Sequence, residues 1–143
     1  MGSMVAVGLM SGTSLDGIDA ALIETDGESF VRPIAFRCEP WSEPARETLR
    51  AACARALLVD RPRPTAETRA AEQLVTRAHI LAVRKLLTDH DLTPDVIGFH
   101  GQTIAHRPDR GWTWQIGDGA AMARALGTTV VNDFRSADVK AGG

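Results

Sequence analysis

Residues 11–19 read Ser-Gly-Thr-Ser-Leu-Asp-Gly-Ile-Asp and combine the residue types that a phosphate-binding turn requires. Two glycines let a backbone approach a ligand closely, and successive backbone N–H groups in such a turn form a concavity that binds anions. The hydroxyls add donors, and the two carboxylates are the hard oxygen ligands that Mg²⁺ prefers. An ordinary polar hairpin turn is the open alternative. The candidate binding residues are Gly12, Thr13, Ser14, Leu15, Asp16, Gly17, Ile18 and Asp19.

The two commonest glycine-rich nucleotide motifs are absent from the sequence. It contains neither a G-x-x-x-x-G-K-[ST] segment nor a G-x-G-x-x-G segment. The P-loop and Rossmann interpretations of the turn therefore have no support.

A second polar segment, 98–103, reads Gly-Phe-His-Gly-Gln-Thr and ends a predicted strand. Ligands of open α/β sheets bind at such strand ends. His100 and Gln102 offer donors and acceptors suited to sugar hydroxyls, although a hydrogen-bonded histidine in a turn is an equal alternative. His100 and His106 do not predict a metal site, because no cysteine or carboxylate completes the ligand set.

Two later segments carry weaker signals. Residues 114–119, Trp-Gln-Ile-Gly-Asp-Gly, are typical of a structural corner between a strand and a helix, with Gln115 as the side chain of interest. Residues 132–138 place two carboxylates and an arginine in a loop after a strand. Arg135 can clamp a carboxylate or phosphate through two hydrogen bonds. A surface loop with local ion pairs is the alternative.

The segments between these motifs alternate between strand and helix patterns. Short apolar runs bounded by glycine or polar turns predict the strands, and Asp26-Gly27 is a strong turn signal. A meander of three strands followed by alternating helices and strands predicts an α/β domain. A polar loop over 133–143 is predicted to end the chain. The predicted strands are 5–10, 18–24, 30–38, 96–100, 112–116 and 128–132.

Three helices are predicted from their capping residues. Ser42, Thr65 and Asp118 are candidate N-caps, and Gly127 suits the position after a helix. The predicted helices end near residues 57, 89 and 126. The middle helix has an apolar stripe with His79 and Lys85 at its edge, and neither is predicted to bind a ligand. The stripe comprises Ala71, Leu74, Val75, Ala78, Leu81, Ala82 and Leu86.

Length and composition exclude several classes of protein. A chain of 143 residues can form one domain with a core, and a net charge of −2 argues against a broad nucleic-acid surface. Cys38 and Cys53 are expected to be free buried thiols in a reducing compartment, with a disulfide or metal role as the alternative. No apolar run approaches the roughly 20 residues of a membrane span, and no export signal is evident.

From residue 5 onward, the order of the motifs resembles the N-terminal lobe of the anhydro-N-acetylmuramic acid kinases. The motifs are GLMSGTSLDGID, GFHGQTIAHRP, WQIGDGA and NDFRSADVKAGG. The resemblance implies a two-lobed actin/hexokinase-like fold of ribonuclease H type, with ATP and sugar between the lobes. It implies an enzyme that opens the 1,6-anhydro bond with water and phosphorylates O6. The product would be N-acetylmuramic acid 6-phosphate, formed during peptidoglycan recycling.

The resemblance also assigns expected roles to residues. It implies that 12–19 is the ATP phosphate-binding turn, with Asp16 as a candidate Mg²⁺ ligand. It implies a sugar-facing loop around residue 100 and further substrate contacts near residue 134. The expected substrate-binding residues are His100, Gln102, Thr103, Asp133 and Arg135.

The family's general base lies in an Asp-x-Gly-Pro-Gly-Asn motif that this sequence lacks. The resemblance therefore implies that the base lies beyond Gly143, and no catalytic residue is predicted in the chain. Residues 1–3 are interpreted as a cloning tag and 4–143 as the first lobe of a longer protein, inactive as a kinase without its second lobe. The resemblance implies a cytoplasmic homodimer that binds ATP, Mg²⁺ and a sugar, with no nucleic-acid or membrane partner.

Two alternatives stay open from the sequence. A different sugar or acetate-type kinase of the same superfamily is disfavoured by the His-Gly-Gln-Thr and Asn-Asp-Phe-Arg segments. A non-catalytic nucleotide-binding or interaction module of that superfamily is the alternative from another functional class. Phosphorylation of the anhydro-sugar by the product of the complete gene separates the two.

Overall fold

A computed structural model describes residues 2–143. Within that range an opening meander is followed by alternating helices and strands, which confirms the predicted α/β class. The strands are β1 (Met4–Ser11), β2 (Gly17–Thr25), β3 (Val31–Pro40), β4 (Val96–Arg107), β5 (Trp112–Ile116) and β6 (Thr129–Asn132). The α-helices are α1 (Glu43–Ala56), α2 (Ala66–Leu87), α3 (Gly119–Leu126) and α4 (Ser136–Lys140).

The strands form one mixed sheet whose main path runs β3-β2-β1-β4-β5. The opening strands pair antiparallel, as a meander must. Strand β4 is the hub, because it lies parallel to β1 on one side and pairs with two other strands along its length. Its first half pairs in parallel with β6 and its second half pairs antiparallel with β5.

The predicted helix N-caps are confirmed. The side chains of Ser42, Thr65 and Asp118 each accept a hydrogen bond from a backbone N–H group of the first helical turn. Gly127 adopts the left-handed conformation after α3, with φ 62°, where a residue without Cβ is favoured. These caps fix where α1, α2 and α3 begin and hence how the helices lie on the sheet.

The core lies between the sheet and the pair α1 and α2. Inward-facing side chains of the parallel strands, such as Leu9 and Phe99, are buried against apolar helix positions such as Leu49 and Val83. Burial of each side chain of this size contributes about 1.5–3 kcal/mol. The opposite sheet face is more open, and Met10 is exposed there. No helix in residues 2–143 combines the length and apolar character needed to cross a membrane.

The predicted edge position of His79 is wrong, because its side chain is fully buried. Its ring lies 4.9 Å from that of Phe99 and 6.1 Å from that of Trp41, measured between centroids. The apolar stripe of α2 is therefore centred on His79, whereas Leu81 is exposed. Burial lowers the pKa of His79 to about 4, since desolvation disfavours the charged ring.

Three other expectations require correction. The strand predicted to end at residue 100 continues to Arg107, because β5 supplies an antiparallel partner for the extension. The predicted loop over 133–143 contains the short helix α4, whose Val139 is buried. Both cysteines are free, but Cys38 is exposed and Cys53 only partly buried, so neither is the fully buried thiol expected.

Candidate active site

The turn between β1 and β2 keeps its binding groups accessible. The side chains of Thr13, Ser14 and Asp16 are exposed. Leu15 donates its N–H group to the Gly12 carbonyl at 3.1 Å. Within residues 2–143 the backbone N–H groups of Thr13 and Ser14 donate to no protein acceptor. Free N–H groups in a turn are the donors that an anion needs.

The carbonyl groups of the same turn are held by the protein. Arg46 donates from Nε to the Leu15 carbonyl at 3.0 Å, and the Trp41 N–H group donates to the Asp16 carbonyl at 3.0 Å. Leu15 has a φ of 58°, a left-handed conformation that is rare for a residue with a branched apolar side chain. The buried side chain of Leu15 and these two bonds hold that conformation in place.

A bulge in β4 separates His100 from Gln102. The pairing moves from Leu9↔Phe99 to Ser11↔Gln102, so β4 has one residue more than β1 across this step. Gly101 takes a φ of 77°, and a Cβ there would lie 2.5 Å from the Ile116 carbonyl oxygen. Since a bulge reverses the alternation of faces, Gln102 is fully buried while His100 remains partly exposed.

A cleft of about 260 Å³ opens beside the exposed side of this bulge. Its lining combines polar side chains with the aromatic rings of Phe99 and Trp114. Gln115 donates from Nε2 to the hydroxyls of Thr103 at 3.0 Å and Thr113 at 2.8 Å, which orders this wall. Hydroxyl, amide and imidazole groups beside an indole ring are the surroundings that suit a sugar. The lining includes His100, Thr113, Trp114, Gln115, Asn132 and Asp133.

Helix α2 holds the corner that joins β5 to α3. The Gly117 N–H group donates to Oε2 of Glu72 at 3.1 Å, and the Asp118 N–H group donates to Oγ1 of Thr76 at 2.9 Å. A Cβ on Gly117 would lie 2.6 Å from the Phe99 ring. These contacts support the structural interpretation of the corner, although four residues of the segment, 114–117, also line the cleft.

Asp133 and Arg135 follow β6 and are placed differently. Asp133 lines the cleft, has a φ of 58° and accepts a hydrogen bond from Ser136 Oγ. Arg135 is half-buried and forms no ion pair within residues 2–143. The local ion pairs that offered an alternative explanation of this loop are therefore not formed by Arg135.

The turn, the cleft and the segment after β6 lie at the same edge of the sheet, the one formed by the carboxyl ends of its parallel strands. They follow Ser11 of β1, Phe99 of β4 and Asn132 of β6, which are aligned through parallel pairing. Carboxyl ends of parallel strands are where ligands of such sheets bind. The sheet topology therefore brings together segments that are more than 100 residues apart in the sequence.

The carboxylates of the turn fit a site for magnesium bound to a phosphate. Asp16 and Asp19 are both exposed. No group of three or more side chains in residues 2–143 is placed to hold a metal alone. Mg²⁺ is commonly bound by one or two carboxylates together with substrate phosphates, so the exposed carboxylate of Asp16 is compatible with this role. A hydrogen bond to Asp19 raises the pKa of the neighbouring Cys38 thiol, which keeps that thiol protonated beside the turn.

Sequence reasoning found part of this site. Of the predicted residues, His100 and Asp133 line the cleft, Thr103 contacts it through Gln115, and Gln102 lies in the core. No sequence signal pointed to Arg46 or Trp41, since their roles depend on how α1 lies against the turn. The hydroxyl of Thr113 was also missed, although alternation along β5 places it on the same face as Gln115.

The fold and this edge define the chain as the N-terminal lobe of an actin/hexokinase-like protein. Residues 4–143 match the family model described as anhydro-N-acetylmuramic acid kinase. The chain belongs to the anhydro-N-acetylmuramic acid kinase family.

Curated relatives named anhydro-N-acetylmuramic acid kinase match almost the whole chain. That of Rhizorhabdus wittichii is 68% identical over 146 residues, covering 100% of this chain and 40% of the relative. That of Zymomonas mobilis is 56% identical, covering 98% of this chain and 40% of the relative. That of Methylobacterium nodulans is 51% identical, covering 98% and 41%. The chain thus spans about two fifths of the length of these relatives.

The general base expected beyond Gly143 stays a prediction. Gly143 itself is exposed, and its N–H group donates to the Asp138 carbonyl at 2.8 Å just after α4. A glycine has no side chain that could accept a proton from water, so Gly143 supplies no catalytic group of its own. The contact shows only that the backbone at this position closes the last turn of α4.

Proposed function

We propose that this chain is the phosphate- and sugar-binding lobe of an ATP-dependent kinase that acts on anhydro-N-acetylmuramic acid. The observation that carries the proposal is the turn after β1, where the Thr13 and Ser14 N–H groups are free beside the Asp16 carboxylate. The polar cleft at the same sheet edge adds a place for the sugar. Family membership supports this pairing of ligands.

The turn would bind the phosphates of ATP, and its aspartates would hold Mg²⁺. The ion supplies neutralisation of phosphate charge when it is bound. The Thr13 and Ser14 N–H groups would donate to phosphate oxygens, and their hydroxyls would add further donors. Because the turn is held through its carbonyls, these donors are positioned before the ligand arrives.

The cleft would orient the sugar so that its O6 faces the turn. His100 and Asp133 would contact hydroxyls, and the Trp114 ring would pack against a sugar face. Arg135, which is unpaired within the described residues, would bind an anionic group of the substrate. Water, deprotonated by a general base that we place beyond Gly143, would attack the anomeric carbon and break its bond to O6. O6 would take the γ-phosphoryl group of ATP, with ADP as the leaving group.

The product would be N-acetylmuramic acid 6-phosphate, formed in the cytoplasm during peptidoglycan recycling. We propose that the complete protein is a homodimer and that this chain alone does not turn over. The proposal is tested by incubating the product of the complete gene with ATP, Mg²⁺ and the anhydro-sugar, and by detecting the sugar phosphate by mass spectrometry. Absence of ATP-dependent product, with nucleotide binding retained, identifies a non-catalytic module instead.

A glycine variant tests the position of the nucleotide. A Cβ on Gly12 would meet only Ser14 Oγ, at 3.7 Å, so alanine fits the folded chain. It would nevertheless occupy the space that a phosphate needs, and we expect Gly12→Ala to raise the KM for ATP about tenfold, or ~1.4 kcal/mol. Gly8→Ala is the matched control, because a Cβ there meets nothing within 4 Å on a strand away from the turn. An unchanged KM for ATP in Gly12→Ala places the nucleotide elsewhere.

A further inference from the structure

Three buried side chains form a continuous hydrogen-bonded relay beneath the turn. Trp41 donates from Nε1 to Ser11 Oγ at 3.1 Å, and Ser11 Oγ donates to Oε1 of Gln102. Gln102 then donates from Nε2 to the Gly12 carbonyl at 3.2 Å. The direction is fixed, because an indole N–H group only donates and a serine hydroxyl has a single proton to give.

The last bond of the relay holds the orientation of one peptide group together with the Leu15 N–H group, which donates to the same Gly12 carbonyl at 3.1 Å. In a trans peptide the C=O and N–H groups point in opposite directions, and the structure contains no cis peptide bond in residues 2–143. The Gly12 carbonyl points inward to Gln102. The N–H group of the same peptide unit, which belongs to Thr13, must therefore point outward, where it donates to no protein acceptor.

We infer that Gln102 is a positioning residue for the phosphates of the nucleotide and not a contact of the sugar. This inference rests on the proposed function. Gln102 acts through the backbone of the turn, and Ser11 and Trp41 hold its amide in the required orientation. The bulge at Gly101 is what turns Gln102 away from the cleft that His100 lines.

The relay also connects the two halves of the proposed site. Besides the Gly12 carbonyl, Gln102 Nε2 donates to the Thr103 carbonyl at 3.2 Å. Thr103 in turn accepts the Gln115 amide at the wall of the cleft. One amide group thus bonds both to the turn after β1 and to the carbonyl of the next residue of β4, whose hydroxyl contacts the wall of the cleft.

Steady-state kinetics of the complete gene product test the inference. Gln102→Met keeps the side-chain volume but removes both amide functions, and it is expected to raise the KM for ATP about tenfold while that for the sugar stays within about twofold. His100→Ala, in the cleft wall, is expected to give the opposite pattern. Asp26→Ala is the control for stability, because it removes hydrogen bonds from a turn at the far end of β2.

The conservative variant Gln102→Glu supplies a readout that general destabilisation does not move. A protonated glutamic acid can accept from Ser11 and donate to the Gly12 carbonyl, whereas the carboxylate can only accept. Burial raises the pKa of such a carboxyl. The ratio of its KM for ATP to that of the wild type is therefore expected to be near one in mild acid and to rise with pH.

Two results overturn the inference. One is a larger effect of Gln102→Met on the KM for the sugar than on that for ATP. The other is a change no larger than that of Asp26→Ala at equal thermal stability. If the wild type phosphorylates no sugar, the proposed function fails by itself, and calorimetry with Mg²⁺ and ATP then decides the inference. In that case, equal affinity in wild type and Gln102→Met, or no binding by the wild type, overturns it.

Discussion

Strand β2 is preceded by one turn and followed by another, and the two turns use similar residues in opposite ways. The turn over 12–16 and the turn over 26–30 both contain glycine, aspartate and serine. In the second turn, Asp26 Oδ1 accepts the N–H groups of Glu28 at 2.9 Å, Ser29 at 3.0 Å and Phe30 at 2.9 Å. In the first turn no side-chain hydrogen bond of Asp16 occurs within residues 2–143, and two N–H groups stay free.

The difference distinguishes an open turn, over 12–16, whose N–H donors stay free, from a closed, connecting turn, over 26–30. A connecting turn satisfies its own donors through its own aspartate, which is the usual role of that residue in turns. The first turn is held from beneath through its carbonyls, by Gln102, Arg46 and the Trp41 backbone. Its donors and carboxylates are thereby left for a ligand. Composition alone does not separate the two cases.

The largest expected effect is at the carboxylate of the open turn. Asp16→Ala in the complete gene product is expected to lower kcat/KM with Mg²⁺ and ATP on the order of 100-fold, or ~2.7 kcal/mol. The reason is the loss of an oxygen ligand beside the phosphates. Asp26→Ala at the closed turn is the matched control and is expected to leave kcat/KM unchanged. A loss under about threefold for Asp16→Ala would remove the functional distinction between the turns.

The next effect concerns the support of the open turn by its neighbouring strand. A Cβ on Gly17 would lie 2.5 Å from the Glu39 carbonyl oxygen and 2.9 Å from Pro40 Cα. Gly17→Ala is therefore expected to destabilise the fold by about 1–3 kcal/mol through overpacking, measured by urea unfolding. Gly27→Ala at the closed turn meets no atom within 4 Å and carries only the strain of a φ of 81°. A greater loss in Gly27→Ala contradicts the tight packing at Gly17.

Acid is expected to weaken the core under the open turn. The pKa of His79 is about 4 in the folded protein and near 6.5 in the unfolded protein. The neutral, buried ring therefore makes its full contribution to the free energy of unfolding above pH 6.5. That contribution is lost as pH falls toward 4, since the unfolded state then binds more protons. Between pH 6.5 and pH 5 the loss in the free energy of unfolding is about 1.6 kcal/mol. His100 is the other titratable group that acts on this ring.

His79→Phe isolates this contribution. The variant keeps an aromatic ring between Trp41 and Phe99 and removes Nε2, which has no hydrogen-bond partner among the described residues. Chemical unfolding at several pH values is expected to show a smaller decline in stability for His79→Phe than for the wild type. If the free energy of unfolding falls equally with decreasing pH in the two proteins, the acid sensitivity belongs to other groups.

The smallest expected effect is at the closed turn itself. Backbone hydrogen bonds, led by that of Phe30, lower the pKa of Asp26, so its contribution is present above the unfolded pKa and lost as pH falls through the folded value. Asp26→Asn keeps an acceptor oxygen and is expected to hold the turn without this dependence. Tm measured at neutral and acidic pH for the wild type, Asp26→Asn and Asp26→Ala checks this. A Tm for Asp26→Asn as low as that for Asp26→Ala contradicts the local role of the acceptor.

Local signals explain what the sequence could predict. Capping residues act on the backbone within one turn of themselves, so Ser42, Thr65 and Asp118 correctly marked the starts of three helices. The opening strands followed from apolar runs between turn residues. The turn over 12–16 was proposed to bind phosphate because its residue types are unusual together, and this role stays a prediction.

Contacts between distant parts of the chain explain what the sequence could not predict. The extension of β4 depends on pairing with β5, and the burial of His79 depends on how α2 rotates against Trp41 and Phe99. Gln102 was predicted to face the sugar as part of a loop that follows a strand ending at residue 100, whereas the strand continues and its side chain is buried. The bulge at Gly101, where β4 has one residue more than β1, turns this side chain into the core. A bulge depends on how two distant strands pair, so the residues around Gly101 do not reveal it by themselves.

The bulge at Gly101 also determines which changes in chain length the lobe can tolerate. Deleting one residue between Phe99 and Gln102 would restore the alternation of faces across this step of β4. Every side chain from Gln102 to Arg107 would then move to the opposite face of the sheet. A polar amide would leave the core and outward-facing groups would enter it. Length between these two positions is therefore expected to be fixed among related proteins, even where the residue types differ.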